Sequence, residues 1–283
     1  MSNPYPQLTQ SQLDHARKPI VYRVPDMDRV TVHSNLRYCD SPETRILMDV
    51  YIPPDVPTNS TCPAVLFVHG GVPGALPVKE MGSFRSWGRL IAAQGVVAVT
   101  FTHRLQWPLS QLTEATFDVR SAIDYVRDNA PKFGIDANRL CIIAMSAGGP
   151  LLTLSIRDRL EYVRCQVALW PLLDLDGIGF GQAGVDQTRI DHPEQFALRT
   201  YLRDSAFKPL FIARAGKDAT PGLNVRLDRF VGEALAANAP VTLVNHPAGV
   251  HGFDVENDDE RSREIIRNVM AFVQTHIGAA ADR

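Results

Sequence analysis

The sequence is poor in cysteine, has no long apolar run and carries almost no excess charge of either sign. Its four cysteines, Cys39, Cys62, Cys141 and Cys165, are too few for a disulfide scaffold in 283 residues. Cys141 and Cys165 lie in apolar, strand-like runs, where a thiol behaves as a small hydrophobe. Nothing in the sequence supports a Cys39–Cys62 pair, so reduced thiols and a cytoplasmic chain are the default. No run approaches the roughly 20 apolar residues of a membrane helix, and the polar stretch Met1–Gln12 lacks the apolar core of a secretory signal. Lys and Arg total 29 against 31 for Asp and Glu, a net charge of −2. That balance gives no reason to expect nucleic acid or an anionic membrane as partner. With 45% hydrophobic and 21% charged residues the composition is ordinary and globular. A chain of this length buries roughly 75% of its unfolded surface, enough for one core without metal or disulfide support.

Six short runs are apolar almost throughout: Ala64–Gly70, Val96–Thr102, Arg139–Met145, Arg164–Trp170, Pro209–Ala215 and Val241–Pro247. Such runs read as strands covered on both faces. Helical stripes lie between them. Ala115, Val119, Ala122, Ile123, Val126 and Ala130 share one helix face, as do Leu223, Leu227, Phe230, Val231, Ala234 and Leu235. Ile265, Ile266, Val269, Met270, Val273 and Ile277 form a third stripe, and Phe84, Trp87, Leu90 and Ile91 a shorter one that Gly95 is placed to end. Alternating strands and helices predict an α/β fold with a mostly parallel sheet and helices on both faces. Ahead of them, Val30–Cys39 and Arg45–Ile52 predict an antiparallel hairpin at one sheet edge, turning at Asp40-Ser41-Pro42. No linker divides residues 1–283, so a single domain is expected, with residues 1–29 as an N-terminal arm or partial cap. Residues 172–207, holding Gly177, Gly179, Gly181 and Gly184 and a short helix near Glu194–Leu202, predict a lid.

The chemistry is concentrated at strand ends. Ala144-Met145-Ser146-Ala147-Gly148-Gly149 follows a strand and opens a helical stretch, PLLTLSIRDRL. A serine on such a sharp turn is pushed out at the C-terminal sheet edge, and small neighbours let the backbone make the turn. Ala144 stands where the usual Gly-x-Ser-x-Gly pattern has its first glycine, a change of one methyl. His69-Gly70-Gly71-Val72 follows the first parallel strand; glycines there let backbone N–H groups turn toward an oxyanion, with the N–H of Ala147 completing the hole. Asp218 follows the PLFIARA strand and His251 the VTLVNHP strand. A serine nucleophile needs an imidazole base, and the base needs a carboxylate to fix its tautomer. Ser146, Asp218 and His251 supply the three in the chain order of the α/β-hydrolases.

On these residues the chain resembles the α/β-hydrolases of the esterase–lipase group, in the style of the hormone-sensitive-lipase-like and acetyl-esterase/arylformamidase branches. The resemblance runs from DVYIP through HGG and THRL, across Asp118–Gly149, to the AGKD and HGFD segments. It implies Ser146 as nucleophile, His251 and Asp218 as base and acid, and Gly70, Gly71 and Ala147 as oxyanion-hole donors. Val72 departs from the third glycine of the HGGG version, and the large helical cap of the hormone-sensitive-lipase-like enzymes is reduced to a short arm.

Other readings stay in view. Asp174, at the end of WPLLD, is the competing triad acid, and Asp254 is expected to cap the turn after His251. His246 is read as structural, since its spacing from His251 fits no metal motif and no cysteine–histidine cluster supports zinc. His69 is read as a brace of the oxyanion loop, and Arg104 with Asp118 as a scaffold ion pair. Val72, Trp107, Trp170 and Leu173 are candidates to line the substrate pocket, with both tryptophans equally readable as core. The expected activity is a serine carboxylesterase acting on short-acyl or aryl esters, without cofactor or metal. An amidase, arylformamidase or peptidase-like hydrolase is the alternative, and a non-catalytic ligand-binding hydrolase fold the third. The partner is a small-molecule ester, and a homodimer is left open.

Overall fold

Period-two alternation decides which side of the sheet each strand residue serves. Along Cys62–Val68, Ala64, Leu66 and Val68 face one apolar layer while Val65 and Phe67 face the other. The computed structural model describes residues 7–41, 45–56, 60–107, 112–175 and 192–278. In chain order the strands are β1 (Thr31–Arg37), β2 (Leu47–Ile52), β3 (Cys62–Val68), β4 (Val72–Pro73), β5 (Val97–Phe101), β6 (Gln106–Trp107), β7 (Ile135–Met145), β8 (Val163–Leu169), β9 (Leu210–Ala215) and β10 (Val241–His246). The helices are α1 (Gln10–Arg17), α2 (Gly82–Ala93), α3 (Leu112–Asp128), α4 (Ala130–Phe133), α5 (Thr153–Arg157), α6 (Leu223–Ala236), α7 (Phe253–Glu256) and α8 (Glu260–Ile277).

Eight strands form one sheet in the order β1-β2-β5-β3-β7-β8-β9-β10. The β1–β2 and β2–β5 pairs are antiparallel and every later pair is parallel, so the expected edge hairpin and parallel body both appear. Helices α3, α5 and α6 cover one face. On the other lie α2, α8 and the N-terminal segment, which contributes Ile20 and Met27. The fold is α/β with helices on both faces. A second ladder, β4 with β6, joins the loop after β3 to the loop after β5 and has no counterpart in the sequence reading.

Three expectations change. The stretch after Ser146 is a 3₁₀ segment, Ser146–Leu152, before the short α5. Pro150 has no N–H to return to the Ser146 carbonyl, which instead accepts from the Leu172 N–H at 2.9 Å. The short helix near Glu194–Leu202 is two 3₁₀ turns, because Ala197 between them is extended and the Leu198 N–H bonds the Leu173 carbonyl. Leu235, placed on the buried stripe of α6, is exposed, while Leu223, Leu227, Phe230 and Ala234 carry the packing. Residues 176–191 of the expected lid lie outside the described residues. All four cysteines are free thiols. No helix among the described residues is long and apolar enough to cross a membrane, and none of their His, Cys, Asp and Glu groups clusters in a way that could hold a metal.

Candidate active site

Ser146 follows β7, Asp218 follows β9 and His251 follows β10, all past the C-terminal ends of parallel strands. Ser146 has φ +51°, a left-handed conformation that a non-glycine residue adopts at a cost of about 1–3 kcal/mol. The strain turns its hydroxyl out of the sheet edge. Packing enforces the turn: a Cβ on Gly148 would stand 2.6 Å from the His69 carbonyl, and one on Gly149 would run into the Leu172 carbonyl. Ala144 is fully buried on the α3 side, where its extra methyl is accommodated.

The loops carrying the acid and the base are stitched by backbone. Gly216 N–H donates to the His246 carbonyl and Lys217 N–H to the Gly249 carbonyl, both at 2.8 Å. Between them His251 Nδ1 lies 2.6 Å from Asp218 Oδ2, and its Nε2 lies 2.9 Å from Ser146 Oγ. An ionised carboxylate only accepts, so Nδ1 carries the proton and Nε2 presents its lone pair to the serine hydroxyl. Burial pushes the Asp218 carboxyl up, but the hydrogen bond and charge of His251 and the bonds from Thr220 outweigh it and hold it below the usual range. The structure thus brings the three sequence candidates into one line. Asp174 is elsewhere: fully buried, it pairs with Arg229 and Arg199.

The oxyanion loop is built on a histidine pair. His69 Nδ1 donates to the Gly70 carbonyl at 2.7 Å, and Nε2 accepts from the His103 N–H at 3.1 Å. Across a trans peptide the C=O and N–H point oppositely, so holding the Gly70 carbonyl toward His69 aims the Gly71 N–H away from it. Gly70 backs onto the elbow: a Cβ there would stand 2.8 Å from Ser146 Cβ and 3.3 Å from Ala147 N. The His69 ring stacks on His103, centroids 3.5 Å apart and planes within 9°. Burial pushes His69 down to about 4 and His103 well below its ordinary value, so both stay neutral. His69 sits where a brace of that loop would; His103 lies inside the THRL stretch but was not singled out there. The loop after β5 is anchored by Arg104, which forks onto the fully buried Asp118 with contacts of 2.7 and 2.9 Å.

The pocket candidates separate. Val72 is half-buried in β4, and the backbone of Trp107 pairs beside it in β6. Leu173 is a core residue, 1% exposed, packed over Gly149 in the α3–α6 layer rather than open at the site. Trp170 meets the His251 ring edge to face at 4.6 Å. Asp254 does not serve as a turn cap: its carboxylate accepts from the indoles of Trp87 and Trp170. His246 is buried, its Nε2 shared between Asp259 and Ser262, in keeping with a structural place.

Residues 48–158 match the BD-FAE family, a span holding Gly70, Gly71, Ser146 and Ala147 but neither Asp218 nor His251. The esterase LipI of Mycobacterium tuberculosis is 26% identical over 85% of this chain and 82% of its own length. The esterase LipC of the same organism is 36% identical over 42% of this chain, which spans only 28% of LipC. The esterase Est2 of Thermogutta terrifontis superposes with a TM-score of 0.67 at 20% identity, covering 92% of this chain and 96% of that one. Esterase B of Lactobacillus rhamnosis gives 0.71 at 18%, covering 94% and 89%. The chain has the fold of these esterases and is similar to them in sequence. In this chain the matched segment holds the elbow and oxyanion loop, and the fold brings acid and base to them from the unmatched C-terminal part.

Proposed function

We propose that the protein is a serine carboxylesterase that cleaves short-acyl or aryl esters through an acyl-enzyme on Ser146. The observation that carries the reading is the unbroken hydrogen-bond line Ser146–His251–Asp218 beside a braced oxyanion loop. Ser146 Oγ attacks the ester carbonyl while His251 Nε2 takes its proton. The carbonyl oxygen, now an anion, is met by the backbone N–H groups of Ala147 and the Gly70–Gly71 loop. His251 returns the proton to the leaving alcohol, the acyl group stays on Ser146, and a water activated by the same imidazole releases it. Asp218 keeps the proton of the ring on Nδ1 throughout and offsets the imidazolium charge.

Short acyl groups are supported by the neighbours in fold: Est2 of Thermogutta terrifontis binds propionate and butyrate. For aryl esters the support is an arylesterase of Saccharolobus solfataricus, 29% identical over 39% of this chain and 39% of its own length. The same reading makes a small ester the partner, in the cytoplasm, with no role for nucleic acid or membrane. The near-neutral charge supports it.

Initial rates on p-nitrophenyl acetate, butyrate and octanoate, with Ser146→Ala in parallel, test the proposal. The expected result is fastest turnover of acetate or butyrate, with about 10³-fold or greater loss in the folded variant. A wild type no faster than Ser146→Ala on every ester would sink it, and amides or formamides, cut by the same triad, would take the place of esters.

A further inference from the structure

Asp254 is a carboxylate in a place that costs free energy to fill. It lies in α7, three residues after His251, and is 2% exposed. Among the described residues no lysine or arginine pairs with it. Its Oδ2 accepts from Trp87 Nε1 at 2.8 Å and its Oδ1 from Trp170 Nε1 at 2.9 Å. Both oxygens are thus used as acceptors, as in an ionised carboxylate. Burial raises the Asp254 carboxyl above its ordinary value, against the two indole hydrogen bonds. Polar groups so buried persist when something depends on their geometry or charge.

What depends on it here is the base. Trp170, just past the end of β8, has φ +37° and sets its ring edge to face against the His251 imidazole, at 64° and 4.6 Å. The indole N–H that fixes this pose ends on Asp254. The Val21 N–H bonds the Asp254 carbonyl at 2.8 Å, tying the N-terminal segment to α7. The imidazole therefore has two supports: Asp218 along its Nδ1–H, and Trp170 against its ring.

Building on the triad proposed above, we infer that Asp254 is a positioning residue for His251, holding Trp170 against the imidazole and setting a second negative charge near it. Among the described residues, Asp218 meets the ring from the loop after β9, Ser146 from the elbow and Trp170, uncharged, from the end of β8; the charge of Asp254, in α7, is felt there behind Trp170. An anion near an imidazolium favours the charged ring. Removing it lets the proton leave more easily, which moves the acid limb of kcat/KM to lower pH.

The test compares Asp254→Asn and Trp170→Phe with wild type on p-nitrophenyl butyrate, beside Ser146→Ala. Thermal unfolding is followed to show that each variant is folded. Asp254→Asn is expected to lower kcat about tenfold with KM within twofold, and to move the acid limb down by about half a pH unit. Trp170→Phe keeps a ring but loses its anchor; it should lower kcat similarly and leave the limb in place, since the carboxylate remains. An NMR titration of the His251 Hε1 resonance carries the same charge comparison without substrate, and its midpoint should fall in Asp254→Asn alone. Unchanged kcat in both variants, or the same His251 midpoint in wild type and Asp254→Asn, overturns the inference. The NMR outcome is independent of the esterase reading, which stands or falls with Ser146→Ala.

Discussion

Asp218 and Asp174 are both buried acids near strand ends, and their partners tell them apart. Asp218 meets the Nδ1 of His251 at 2.6 Å, whereas Asp174 is neutralised by Arg229 and Arg199. Replacing Asp218 by Asn keeps its size but offers an amide where the ring N–H needs an acceptor. The wrong tautomer then faces Ser146, and kcat should fall by about 10⁴. Asp174→Asn replaces the buried anion beside Arg229 and Arg199 by a neutral amide; the expected loss is in melting temperature, with kcat within tenfold of wild type. Kinetics of the two variants under one set of conditions decide the assignment. A larger kcat loss for Asp174→Asn would transfer the acid role to the earlier strand end.

The elbow works as an element because three stretches of backbone touch. Gly148 lies against the His69 carbonyl so closely that a methyl group there must push the oxyanion loop away. Gly148→Ala should therefore cost about 1–3 kcal/mol in urea unfolding and lower kcat along with it; an unchanged midpoint and rate would show that the contact is slack. Elements of this kind were legible in the sequence where the code is local. The run AVLFVHG, the four-residue spacing of Ala115, Val119 and Ile123, and serine among small residues all carry their meaning within a few positions. The 3₁₀ path after Ser146 was not legible, because it depends on a Leu172 N–H delivered by the end of β8. Nor was the role of Asp254. Between Phe253 and Val255 it reads as a turn residue, and its two indole partners come from α2 and from the residue past β8. The two-residue ladder β4–β6 is too short for any periodicity to announce it.

Across the molecule, the two apolar layers are divided by a sheet, and two imidazoles lie buried just past the ends of its strands β3 and β5. His69 and His103 stack face to face with no exposure to water, and protonating either would put a charge in that interior. The unfolded chain has no such restriction and takes up a proton on His69 near pH 6.5, while the native His69 waits until about 4. Between those values the unfolded state binds more protons, so stability must fall as pH falls. At 1.4 kcal/mol per pH unit the gap between 6.5 and about 4 amounts to about 3 kcal/mol for His69. His103, pushed down further by burial and by its neighbour, acts in the same direction. The carboxylates do not cancel this. Asp218 is held below its ordinary value, so its contribution is lost only at lower pH, and the raised Asp254 works in the opposite sense closer to the carboxylate range. Urea unfolding from pH 7 to 4.5 should show a steady decline that begins near 6.5, well above the range in which carboxylates titrate. In His69→Asn, which cannot titrate, the decline should be shallower. A wild-type stability that stays level down to pH 4.5 would mean that the histidine pair is solvated, and that the oxyanion loop rests on something other than a buried neutral ring.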